Sequence, residues 1–283
     1  MRKEVIYSMK GPFRDELRVM GYKFGEGEKA ACILGAMRGN EIQQMYVCSQ
    51  IIKVLKELES KGAINSNNEI MVIPTINQYS INIGKRFWPG DETDINRMFP
   101  GDRCGEATER IAAGILEKTQ GYSYGIQFAS FYRPGDFVPH IRMMETGFQS
   151  PSLANLFGMP YVVTRKPMPY DTTTLNYNWQ LLKTNAFSVY TKETDEIDEA
   201  SAKQAVAAVL RFLTRMGLVK YNVHSCTDVT GFALLGHSFE MAQGSNCTIH
   251  IQVAKVPYHG EALELASMGL VPAGAYRNRE YAQ

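Results

Sequence analysis

Two charged residues, Arg38 and Glu41, sit three apart in the stretch Gly35-Ala36-Met37-Arg38-Gly39-Asn40-Glu41, just after the apolar run 30–34. A buried strand that passes through a Gly-rich turn into a helix is a place where α/β proteins put chemistry. At this spacing the guanidinium and the carboxylate face one another across about one helical turn. Further along, Arg86 and the run Asp94-Ile95-Asn96-Arg97 add two guanidinium groups and an amide within a polar stretch. Guanidinium forks suit bidentate capture of a carboxylate, so Arg86, Asn96 and Arg97 are candidate ligand-binding residues. The same arginines could equally anchor the loop by bonding carbonyls or Asp94. His140 is the only histidine before residue 224. Imidazole titrates near neutrality, which makes it a candidate general base. The plainer reading is a hydrogen-bonded histidine in a Pro/Gly-flanked loop.

The elements that must position these groups can be read from periodicity. Strands are predicted at 5–7 and 18–24, with a Gly-Pro turn between them, at 30–34, a short continuous apolar run, and at 69–74, a second buried strand. Further strands are predicted at 124–129, 161–164 and 187–190. A helix is predicted over 40–58, with Ile42, Met45, Tyr46, Ile52, Leu55 and Leu58 as its apolar stripe and Gly62 closing it. Others follow at 106–118, with Ile111, Ile115 and Leu116 inward, at 152–157, and at 198–216, capped by Asp198 and closed by Gly217. The polar segment 75–103 is long for a connection, which points to a functional loop. Strands alternating with helices imply a layered α/β sheet with helices on both faces.

Composition narrows the function classes. Apolar residues make up 45% of the 283 and charged residues 21%, with a net charge of +1, so nothing draws the chain strongly to nucleic acid or an anionic membrane. No apolar run approaches the ~20 residues needed to span a bilayer. The basic N-terminus lacks the apolar stretch of a signal peptide, and the cytoplasm is the expected location. Five scattered cysteines without a CxxC pair make neither a disulfide framework nor a zinc ribbon.

The 35–41 corner, the Asp94-Ile95-Asn96-Arg97-Met98-Phe99-Pro100-Gly101 run and the order of elements resemble the succinylglutamate desuccinylase/aspartoacylase family over about residues 1–222. The resemblance implies a three-layer metallocarboxypeptidase-like mixed sheet with helices on both faces. It also implies hydrolysis of the amide bond of N-acyl amino acids by a zinc-bound water. In the family a Gly-x-His-Gly-Asn-Glu turn and a later Asp-x-His supply the zinc ligands, and a glutamate on a late strand is the general base. An Asn-Arg pair and an upstream arginine bind the substrate carboxylate and polarise its carbonyl. Carried over, Glu41 keeps a zinc-ligand position, and Arg86, Asn96 and Arg97 keep the substrate-binding positions, Arg86 also as a catalytic candidate beside His140. Arg38 and Ala129, however, stand where two histidines are expected, and no carboxylate falls near Val189-Tyr190. Zinc needs three or four protein ligands, and a permanently protonated guanidinium repels a cation. The resemblance therefore implies a relative degenerate at the zinc site, without a resident cofactor, that binds a small carboxylate-bearing N-acyl amino acid-like ligand. Zinc is expected only if the family chemistry survives. A non-catalytic binding or regulatory protein on the same scaffold is the alternative.

From residue 223 the character changes. Ser225-Cys226-Thr227-Asp228-Val229-Thr230-Gly231-Phe232, Val256-Pro257 and Gly269-Leu270-Val271-Pro272 resemble the start of the C-terminal domain of selenophosphate synthetase (selenide, water dikinase). There the equivalent of Asp228 helps hold magnesium against ATP phosphates. One carboxylate does not make a kinase site. Neither magnesium nor ATP is expected here, and an ATP-dependent activity would need a partner chain. Helices predicted at 230–242 and 259–268 and an alternating strand at 247–253 would form a small α+β fragment, 223–283. Its core is thin enough that pairing with another copy would help it.

Overall fold

A computed structural model describes residues 1–11, 15–129, 131, 137–148, 150–192, 195–220, 233–258 and 260–281. The chain divides into two compact units, Met1–Lys220 and Tyr221–Gln283.

The first unit is built on strands β1 (Arg2–Met9), β2 (Leu17–Phe24), β3 (Glu28–Ala36), β4 (Asn68–Thr75), β5 (Tyr124–Ala129), β6 (His140–Met144), β7 (Tyr161–Arg165) and β8 (Asn185–Tyr190). They form one sheet in the order β1-β2-β4-β3-β5-β8-β6-β7. Its centre is parallel, β4 with β3, β3 with β5 and β5 with β8, while β1, β2 and the β6–β8 pair run antiparallel. The helices are α1 (Ile42–Ser60), α2 (Gln78–Asn82), α3 (Ala107–Thr119), α4 (Pro151–Ala154), α5 (Leu175–Leu181) and α6 (Glu199–Arg215).

The central strands are apolar on both sides because both faces are covered. On β3 and β4, Ile33, Ile70 and Val72 face a core with Val47 and Ile51 of α1 and Val209 and Phe212 of α6. Their neighbours Leu34, Met71 and Ile73 face a second core with Ile111 and Ile115 of α3 and Trp179 of α5. This is the mixed sheet with helices on both faces that the sequence predicts.

Two local expectations in this unit need correction. The buried stripe of α1 runs through Gln44, Val47, Cys48, Ile51, Leu55 and Leu58, so Ile42, Met45, Tyr46 and Ile52 are only half-buried. Polar Gln43 is buried because its side-chain amide clamps the backbone of Asp198, donating to its carbonyl at 2.9 Å and accepting from its N–H at 3.1 Å. Asp198 in turn caps α6. His140 does not lie in a loop. It opens β6, opposite Tyr190 of β8 and Tyr161 of β7, and Pro139 sits just before the strand, where a missing N–H costs no ladder bond.

In the second unit the described elements are α7 (Ala233–Gly244), α8 (Ala262–Ser267) and α9 (Ala273–Tyr281), with a 3-10 turn at Val253–Lys255. The strand expected at 247–253 does not form. An alternating segment needs a neighbour to complete its hydrogen bonds, and no described residue of this unit is in a strand. The small fragment is therefore helical, not α+β, over its described residues. Leu263, Leu265, Met268 and Leu270 are exposed. Asp228 and His224 lie outside the described residues. Among the described residues no helix is long and apolar enough to cross a membrane.

Candidate functional site

The site forms at the C-terminal ends of the parallel strands, where open α/β sheets gather ligands. The turn after β3 is pressed against its surroundings from two sides. A Cβ on Gly35 would lie 2.4 Å from the Pro74 carbonyl oxygen and 2.9 Å from Cys48 Sγ, and one on Gly39 would lie 2.0 Å from the Lys85 carbonyl oxygen. Only glycine permits that approach.

Within this turn the Glu41 carboxylate folds back on its own chain. Oε2 accepts from the N–H groups of Met37 at 2.8 Å and Arg38 at 3.0 Å, and Oε1 accepts from Arg38 Nη1 at 3.0 Å. The other edge of the Arg38 guanidinium donates to Asp94 Oδ2, from Nε at 3.1 Å and Nη2 at 2.8 Å. The Arg38 side chain is 4% exposed. Asp94 passes the arrangement on: its Oδ1 accepts from Asn96 N–H at 3.0 Å and caps the 3-10 turn Ile95–Arg97. A single chain of bonds therefore links Glu41, Arg38, Asp94 and the Asn96–Arg97 pair.

Arg38, Asn96, Arg97 and Ala129 help to line a cavity of about 220 Å³. The remaining wall holds Arg142 of β6, Ser188 and Tyr190 of β8, Asn176 of α5, and Arg165 with Asp171. Arg97 Nη1 donates to the Tyr170 carbonyl at 2.8 Å. Arg165 makes a bidentate pair with Asp171 at 2.6 and 2.7 Å. Burial works against the Asp171 carboxylate, but the bonds from Arg165 and the Met168 N–H hold it below the usual carboxylate range. Arg142 Nη1 donates to the Tyr190 hydroxyl at 3.1 Å, with its guanidinium 4.4 Å from the centre of that ring.

The predicted residues thus divide. Arg38, Asn96, Arg97 and Ala129 meet at the cavity, with Glu41 directly behind Arg38. Arg86 is not among the lining residues. Its backbone carbonyl accepts from Gly39 N–H at 3.0 Å and its guanidinium lies 4.8 Å from the Phe87 ring centre. His140 is also outside the lining. Its Nδ1 bonds the Val138 carbonyl at 2.9 Å and its ring stacks on Tyr190. Burial pushes its imidazole below the ordinary range. Among the cavity residues that sequence reading missed are Arg142, Arg165, Asp171, Asn176 and Ser188. A signal existed for Arg142, a cation inside the apolar run Ile141–Met144; for Asp171 and Asn176 there was none.

The residues present do not fit zinc. Both Glu41 oxygens are engaged by donors of the turn, Ala129 offers no ligand atom, and a guanidinium occupies the space beside the carboxylate. Among the described residues no three His, Cys, Asp or Glu side chains gather to hold a metal ion.

The model of the succinylglutamate desuccinylase/aspartoacylase catalytic domain matches residues 28–216. A second model, the C-terminal domain of AIR synthase related proteins, matches residues 182–272, so the second likeness begins within the first. The structure of succinylglutamate desuccinylase/aspartoacylase from Rhodobacter sphaeroides superposes with a TM-score of 0.60 at 17% identity, covering 75% of this chain and 63% of that one. An aspartoacylase family protein from Mesorhizobium loti superposes with a TM-score of 0.59 at 22% identity, covering 79% and 69%. At these identities the likeness is one of fold. The selenide, water dikinase of Pelobacter propionicus is 54% identical over 61 residues, which are 22% of this chain and 18% of that protein. This chain spans well under two thirds of the curated relatives it matches.

Proposed function

This chain belongs to the succinylglutamate desuccinylase/aspartoacylase family, and from that membership we propose that it uses a hydrolase scaffold to bind a small N-acyl amino acid-like carboxylate without zinc. The observation that carries this reading is the Arg38 guanidinium, held between Glu41 and Asp94 at the edge of the cavity. It supplies a fixed positive charge at the corner where the family's metal belongs. Around the cavity, Arg38, Arg97, Arg142 and Arg165 face Glu41, Asp94 and Asp171, four cations against three anions. The surplus favours an anionic guest, and Arg97 and Arg142, which have no carboxylate partner of their own in this set, are its natural contacts.

Hydrolysis has weak support. A water without a metal keeps a pKa far above neutrality. Asp171, the only carboxylate among the described lining residues, is committed to Arg165. His140 is tied to Val138 away from the lining. The selenide, water dikinase likeness covers a fragment, and an ATP-dependent activity is not part of this proposal.

Elemental analysis of the purified chain, paired with calorimetric titration of N-acetyl-L-aspartate and N-succinyl-L-glutamate, tests the reading. Binding with no stoichiometric zinc and no amine released is expected. One tightly held zinc per chain together with amide hydrolysis would overturn it.

A further inference from the structure

The arginine-rich cavity continues onto the outermost strand of the sheet. β7 is the edge strand beside β6, and paired residues of neighbouring strands carry their side chains on the same face. Val163 is paired with Arg142, and Arg165 with Met144. Val163 therefore stands on the cavity face between two lining residues, Arg142 across the ladder and Arg165 two places along its own strand. Tyr161 follows on that face, paired with His140, whose ring is stacked on Tyr190. On the other flank of Arg165, the guanidinium lies 5.8 Å from the ring centre of Tyr170, itself a lining residue. These side chains are apolar or aromatic, yet Val163 is 37% exposed, Tyr170 56% and Tyr161 60%. Edge strands are ordinarily blunted by charge, and residues 161–164 carry none. A contiguous exposed apolar strip that adjoins a binding cavity marks the place of a ligand's apolar part.

We propose that Tyr170, Val163 and Tyr161 seat the acyl chain of the guest, and that the guest is an amino acid acylated with a medium-length aliphatic chain rather than a short polar one. The proposal rests on the reading that the cavity takes an N-acyl amino acid-like carboxylate. Arg142 is a contact for that carboxylate, and Val163 lies beside it on the next strand, so a chain leaving the carboxylate end passes onto β7. From Arg165 to Tyr161 the strand runs about 13 Å, a length that an acetyl group leaves bare. The Arg165 stem, its head held by Asp171, adds apolar surface between Tyr170 and Val163. Val163 and Tyr161 offer no cation to a charged acyl group.

Calorimetry on the full chain compares N-acetyl-L-aspartate with N-octanoyl-L-aspartate, which share both carboxylates and differ only in chain length. The wild type is expected to bind the octanoyl compound at least about tenfold more tightly, the effect of burying about two of the added methylenes. Val163→Ser combined with Tyr161→Ser is expected to bring the ratio close to one; both positions are exposed, so the core of the sheet is untouched. Equal affinities in the wild type, a measurement that needs no variant, would overturn the acyl-chain assignment and leave the carboxylate site standing. A ratio unchanged in the double variant would overturn it too, because the chain would then lie elsewhere. A wild type that sediments as a dimer, and as a monomer once the double substitution is made, would give the strip to a second copy and overturn the proposal. A wild type that binds neither compound overturns both readings.

Discussion

The imidazole of His140 lies flat against the phenol of Tyr190, with ring centres 4.7 Å apart and planes 6° from parallel. Tyr190 also receives the Arg142 guanidinium, so a cationic His140 would bring a second positive charge to the same ring. Burial favours neutral imidazole, and the Arg142 charge adds to that effect while the Val138 carbonyl opposes it. A histidine whose folded pKa is depressed binds fewer protons folded than unfolded, so stability rises with pH across that window. The contribution is complete above the unfolded value of about 6.5 and is lost as pH falls toward the folded one. Urea midpoints taken between pH 7.5 and 5.5 are expected to drop for the wild type and to drop less for His140→Phe. Parallel slopes would remove His140 as the cause. Asp171 titrates below this range and does not confuse the result.

Arg38→Met leaves two carboxylates, one of them fully enclosed, without their shared cation. Breaking one side of a buried ion pair costs about 3–5 kcal/mol, and chemical denaturation should register a loss of that order. Asp94→Asn, which still accepts from Arg38, is expected to cost less.

A metal-uptake series separates the ligand set from the scaffold. Arg38→His alone supplies one histidine beside Glu41 and is expected to take up no zinc. Adding Ala129→His builds two histidines and a carboxylate, the donor set of a catalytic zinc site. The double variant is expected to retain zinc through dialysis, as elemental analysis would show. Zinc retained by the single variant would mean that a further ligand faces the corner.

Gly125 on β5 lies under the Trp179 ring, and an added Cβ would come 2.4 Å from it. Overpacking of this kind costs about 1–3 kcal/mol. Gly125→Ala should lower the thermal midpoint and shift tryptophan emission, since Trp179 is one of two tryptophans in the chain.

The two buried clusters and the whole sheet fall within Met1–Lys220, while most of the described large apolar side chains of the second unit are exposed. Limited trypsin digestion is expected to yield a resistant fragment ending near Lys220. Cleavage that begins inside the first unit would contradict this.

The sequence was most legible where one physical demand dominated. Apolar runs located β3 and β4, and the Asp198 cap with Gly217 bounded α6. It misled where polar side chains found partners that no period reveals. Gln43 is buried by its bonds to Asp198, which turned the inward face of α1 away from Ile42 and Ile52. Arg142 is carried in β6 by Tyr190, and a cation at the centre of so short a strand hides its strand pattern. The 35–41 corner and Asn96–Arg97 were found because they are contiguous in sequence. Asn176, Ser188 and Arg142 converge only through the β6–β8 ladder and α5, a long-range arrangement without a local signature.

Arg38 changes what can govern this corner. A bound ion can be stripped by a chelator, exchanged for a competing metal or withheld when supply is short. A guanidinium is covalent to the backbone and keeps its charge across the whole physiological pH range. The positive charge beside the cavity is therefore set when the chain is synthesised, and metal homeostasis has no hold on it.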